Sequence, residues 1–218
     1  MPTRARRGVA ARTPGVAEQP GRRERSKLEK LDRIRAAAHR LFARQGFEGT
    51  TTKQIAAAAD IGAGTLFLYA PTKEDLLVLI FQEEVGRAVD AAFASVPAKP
   101  IVEQAMHVFN ALIVHHAVDP ALARVFVKEL PFVGDTRHGV AQFVGDLYAR
   151  LGGLIDAAKK RGEIAADAPS RLLAQNFFGA CFQHLQMWLG GGMSALEPGD
   201  ERLRAALELQ LRGARAKG

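Results

Sequence analysis

Apolar positions recur every three to four residues along most of the chain, the rhythm of helices with one buried face. The breaks in that rhythm divide it into elements. Leu31, Ile34, Ala38, Leu41 and Phe42 share one face of a first helix. Ser26 and Glu29 ahead of them have capping-box spacing, and Gly46 closes the run. A second box, Thr51 with Gln54, predicts a helix over residues 52–59. Asp60-Ile61-Gly62 follows as a turn, with Gly62 expected to supply a backbone conformation closed to other residues. A third helix fits residues 64–69 and stops before Pro71. So brief a helix is not stable alone and has to be held on a scaffold, as a recognition helix presented to the DNA major groove is.

The remainder predicts helices over residues 72–94, 101–116, 119–130, 137–161, from beyond Asp167 to the Gly190-Gly191-Gly192 break, and 197–212. Thr72 reads as an N-cap with Glu74 and Asp75 in the first turn, Pro120 stands at a first helical position, Gly162 is a stop, and Pro169 falls in a first turn. The fold class is therefore all-α: an N-terminal three-helix helix-turn-helix domain (27–75) and a C-terminal helical bundle (76–218), preceded by a disordered basic arm (1–26).

Charge sharpens this division. The 218 residues carry a formal net charge of +7, and the first 26 hold seven Lys and Arg against two Asp and Glu, whereas beyond residue 80 the two signs balance. Arg4, Arg6, Arg7, Arg12, Arg22, Arg23 and Arg25 among Gly and Pro suit phosphate neutralisation or an adjacent minor groove, and equally suit a solvated tail.

Within residues 27–80, the LF before Gly46-Phe47, the threonine cluster, Ile55-Ala56, Gly64-Thr65-Leu66, Tyr69 and Pro71-Thr72-Lys73-Glu74 fall in the order and spacing of one family. This segment resembles the N-terminal domain of the TetR (AcrR-like) bacterial transcriptional regulators. The resemblance implies a ligand-responsive repressor, a homodimer on a palindromic double-stranded operator, with an effector in the second domain. It implies phosphate contacts from Thr52, Thr65, Tyr69 and Lys73, residue types suited to that task. It also implies an approach to base edges by Lys53, Ala63, Gly64 and Phe67. Of these four only Lys53 can donate to guanine, so few base contacts plus DNA shape would carry specificity. The sign of regulation is not written in these residues.

Further along, Met106, His107, Phe109, Phe126, Phe177 and Trp188 are candidates for a pocket taking a small apolar effector, or plain core. Phe178, Phe182, Leu203, Leu207 and Leu211 are candidates for a dimer face, or intramolecular core. His115, His116 and Asp119 invite a metal reading, but adjacent histidines leave a helix in different directions and no coordination spacing supports them. We expect no metal and no cofactor. Enzyme motifs such as GxxxxGK[ST], GxSxG and a post-strand GxGxxG are missing, and a purely helical interaction module leaves the ordered 50–77 pattern unexplained. The one cysteine excludes an internal disulfide, and no apolar run reaches bilayer length. The arginine-rich start lacks a signal-peptide core. A cytoplasmic, nucleoid-associated protein with no membrane partner is expected.

Overall fold

A computed structural model describes residues 21–130 and 140–213. Helix α1, Arg22–Gln45, buries Ile34, Ala37, Ala38 and Phe42 and ends at Gly46, whose N–H reaches the Phe42 carbonyl at a φ of 73°. It starts a full turn before the predicted Lys27. Ser26 lies inside it and caps nothing, because Gly21 occupies the N-cap and residues 22–26 continue the helix. That segment therefore belongs to the domain; the rest of the arm lies outside the described residues.

Helix α2, Thr52–Ala58, begins on the expected box, with Thr51 and Gln54 capping each other's backbone N–H. Helix α3, Ala63–Tyr69, crosses it after a tight turn. The left-handed residue of that turn is Asp60, at a φ of 55°, and not Gly62, which takes an extended conformation as the N-cap of α3. Asp tolerates that region better than most side chains do, and here its carboxylate sits 3.5 Å from Arg33 on α1. Ile55, Ala56, Ala59 and Leu66 close the small core against Phe42 and Phe47, whose rings lie 5.3 Å apart.

Helix α4, Lys73–Ala94, opens with a reciprocal Thr72–Asp75 capping box and runs out of this bundle into the next, burying Leu76, Leu77, Ile80, Phe81, Val85 and Val89 on the way. There it packs on α5, Ile101–Val118, and α6, Pro120–Glu129. Helix α7, Val140–Lys160, pairs with α8, Ser170–Leu189, and α9, Glu201–Arg212, lies across α8 and α5. The predicted start of α7 at 137 falls outside the described residues. Pro169 is the N-cap of α8 and not a first-turn residue, and α9 starts at Glu201 behind an Asp200 cap, four residues later than expected. Side chains tie the bundle between elements: Glu163 accepts the Ile101 N–H at 2.8 Å, Asn110 accepts the Gly199 N–H at 2.9 Å, and Arg204 pairs with Glu103.

The dimer-face expectation needs correction on α9. Leu203, Leu207 and Leu211 are 0%, 0% and 5% exposed within the single chain, where they fill the space against α8 and α5. The stripe is core and offers a partner nothing. Met106, Phe109, Phe126 and Phe177 are likewise buried packing residues. Among the described residues no helix is long and apolar enough to cross a membrane.

Candidate nucleic-acid interface

Leu66 anchors α3 to the scaffold at 1% exposure, and Ala70 follows it inward one turn on. A helix of seven residues pinned by an i, i+4 pair turns its other sides outward. Ala63, Gly64, Phe67 and Leu68 are exposed, Phe67 to 49% and Leu68 to 86%. Exposed apolar side chains of that size on a capped, braced helix cost solubility and do nothing for the core, which marks the face as a contact surface. Leu68 was not among the sequence candidates. Its position two residues past the buried Leu66 on a helix carries the signal, which its apolar character alone does not.

Lys53 is exposed on α2, and Thr52 and Thr65 are half-buried beside the turn. Tyr69 is half-buried, and its hydroxyl donates to the Lys27 carbonyl at 3.4 Å, which ties α3 to the start of α1. Lys73 is more constrained than its type suggested. Its ammonium donates to the Phe47 carbonyl at 2.8 Å, lies 4.2 Å from the Phe47 ring centroid and 3.7 Å from Glu48, and the side chain is 17% exposed. One of its three protons is thereby committed, so it braces the bundle at the rim of the surface.

Beside Tyr69 runs an open groove lined by Arg22, Arg23, Ser26, Lys27 and Lys30 of α1. Its cationic side chains and its neighbour, the exposed face of α3, form one continuous positive and apolar surface. Such a surface matches a duplex backbone flanking a groove.

The C-terminal candidates do not converge. His107 holds the end of α4 through Ser95 and the Ala92 carbonyl, both at 3.2 Å, Trp188 is half-buried on α8, and the four buried residues fill the core. A cavity of about 260 Å³ opens instead where α1 meets α4, α5 and α6, lined by His39, Ala43, Phe81, Glu84, His115, Val118, Asp119 and Leu122. Phe126 reaches it only indirectly, stacked 4.6 Å behind Phe81. Burial lowers the pKa of His115 despite the opposing Glu84 carboxylate, and burial takes His116 to about 4. No group of three His, Cys, Asp or Glu among the described residues is arranged to hold a metal.

Residues 34–80 match the family model described as bacterial regulatory proteins, tetR family. The fatty acid metabolism regulator protein of Bacillus subtilis is 25% identical over 171 residues, 76% of this chain and 86% of that one. The repressor KstR of Rhodococcus jostii is 27% identical over 143 residues, 66% of each chain. Among solved structures, the fatty acid degradation regulator FadR of Bacillus halodurans superposes with a TM-score of 0.62 at 26% identity, over 84% of this chain and 99% of that one. FadR of Thermus thermophilus, a TetR-family repressor solved with lauroyl-CoA, gives 0.62 at 25% identity over 84% and 91%. A helix-turn-helix with an outward recognition face and an all-helical second domain agree with these likenesses: residues 34–80 match the DNA-binding domain of the TetR family, and the chain is similar to TetR-family transcriptional regulators over most of its length.

Proposed function

We propose that the protein is a ligand-responsive repressor that binds a palindromic operator as a homodimer in the cytoplasm, on the nucleoid. The observation that carries this is the exposed apolar face of α3 running into a cationic groove on α1. Thr52, Thr65 and Tyr69 fix register on phosphates at the edges of that face, with Lys73 at its rim and Arg22, Arg23, Lys27 and Lys30 extending the track. Lys53 supplies the one cationic base-edge donor, and Ala63, Gly64, Phe67 and Leu68 lie close against thymine methyls and the groove floor. The DNA-binding domain ends near residue 75, and the effector and dimerisation domain follows.

The dimer face belongs to α7 and α8. There Phe178 and Phe182 stack 5.7 Å apart, half-buried, beside a groove lined by Gly145, Tyr148, Ala149, Gly152 and Gly153. Two copies related by a two-fold axis there would present their α3 helices to two half-sites. Effector binding shifts the dimer to a spacing that no longer fits, and α4 transmits the change because only three residues separate it from the end of α3. The lauroyl-CoA of the Thermus protein is a poor guide to the ligand of the junction cavity, since the carboxylates of Glu84 and Asp119 line it and a phosphate-bearing group needs cations.

Selective retention of genomic fragments on filters, followed by footprinting, tests the reading. The wild type should protect a two-fold symmetric site, and the surface variant Lys53→Ala with Leu68→Ser should lose selectivity while keeping its helical spectrum and melting temperature. Retention of all fragments alike, or an unaltered footprint in the folded variant, overturns it.

A further inference from the structure

The cavity at the domain junction holds polar groups that do not satisfy one another. Glu84 meets His39 through Oε1 at 2.6 Å, which leaves Oε2 4.0 Å from His115 Nε2, beyond hydrogen-bond reach. His115 Nε2 is buried without a partner, and Asp119 commits only Oδ1, to the Leu122 N–H at 3.0 Å. Burial keeps the His115 imidazole neutral near pH 7, and in the tautomer with its proton on Nδ1 the unpartnered Nε2 is an acceptor. The site is thus rich in acceptors and short of donors. Arg87, whose charge reaches His115, is paired with Glu83 at 3.1 Å and does not fill the gap. The remaining wall is apolar, from Ala43, Phe81, Val118 and Leu122.

We infer that this cavity binds a small primary amine, its ammonium directed at Glu84, His115 and Asp119 and its hydrocarbon part against Phe81 and Leu122. An alkylammonium brings three N–H donors and one positive charge, which matches three open acceptors and two carboxylates. At about 260 Å³ the space falls under the roughly 300–1,000 Å³ usual for drug-sized ligands, so the amine is small. Carboxylates are repelled, and an alcohol of the same shape brings fewer N–H or O–H donors and no positive charge to the two carboxylates. Because α1 lies in the DNA-binding domain and the other three walls do not, an amine seated here fixes one domain against the other. This gives the proposed effector a site and a chemical class, and it rests on the regulator reading only for that consequence on DNA.

Calorimetric titration of the full-length protein near neutral pH with 2-phenylethylamine, 2-phenylethanol and 3-phenylpropionate tests the inference. The amine should bind saturably, with the alcohol and the acid weaker by about tenfold or more, the value of one lost hydrogen bond to a charged group. Glu84→Gln keeps a partner for His39, and Asp119→Asn keeps a good N-cap. Each should melt like the wild type and bind the amine about tenfold more weakly. Equal affinity for amine and alcohol, unchanged affinity in both variants, or no heat from the amine at millimolar concentration overturns the assignment. Footprinting without amine separates the two readings: a protein that protects DNA and ignores the amine loses only this site, and one that binds the amine but no DNA loses the regulator.

Discussion

The His116 imidazole is 3% exposed, its Nδ1–H donates to the Leu112 carbonyl at 2.7 Å, and its ring packs against Phe81 and Phe126. Burial holds its pKa at about 4 in the fold against 6.5 ordinarily, so the unfolded chain binds the extra proton first as pH falls. Stability contributed by the neutral ring is fully present above pH 6.5 and declines from there to about pH 4, by about 3 kcal/mol at most. Urea melts of the wild type and His116→Leu across that window check this: the variant's midpoint should fall less steeply with acid. Parallel curves would assign the acid sensitivity elsewhere. Cys181 gives a second residue-scale expectation. Full burial raises its thiol pKa, so a disulfide reagent should label it only as fast as the protein opens. Burst labelling of the native protein would contradict the packing of α8.

Elements with a local start signal were legible before the fold was known, and those set by tertiary packing were not. The Thr51–Gln54 and Thr72 caps announced α2 and α4 because the capping hydrogen bonds join residues three apart. Ser26 and Glu29 carry the same signature and mean nothing, since residues 22–25 are themselves strong helix formers and extend the helix through the signal. Burial misled in the other direction. An apolar stripe on α9 fits a partner chain or the same chain equally, and only the packing against α5 and α8 decides for the second. Lys73 shows the same limit at the site, because nothing in its type betrays the Phe47 carbonyl 2.8 Å away. What the extension of α1 adds is testable as an element. If Arg22, Arg23 and Lys27 sit on phosphates, replacing all three by Gln should reduce the slope of log affinity against log salt by up to about 2.7, near 0.9 per contact. An unchanged slope would make the groove a bystander.

At the scale of the whole molecule, the glycines of α7 separate the needs of one chain from the needs of two. Gly145 and Gly153 stand in the middle of a 21-residue helix, are exposed, and a Cβ added at either would meet nothing within 4 Å. Nothing inside the chain therefore requires them, although each weakens the helix by about 1 kcal/mol relative to alanine. The expense is explained if a second α7 lies close enough that only a backbone surface fits between them. Gly145→Ala with Gly153→Ala should then act in opposite directions. Chemical denaturation at very low protein concentration, where the single chain dominates, should show a gain of about 1–2 kcal/mol. Sedimentation equilibrium at higher concentration should show the dimer weakened, and operator binding should fall with it because two half-sites are engaged only by the pair. A stabilised protein that dimerises as before would remove α7 from the interface and leave the stacked Phe178 and Phe182 of α8 as the surface to test.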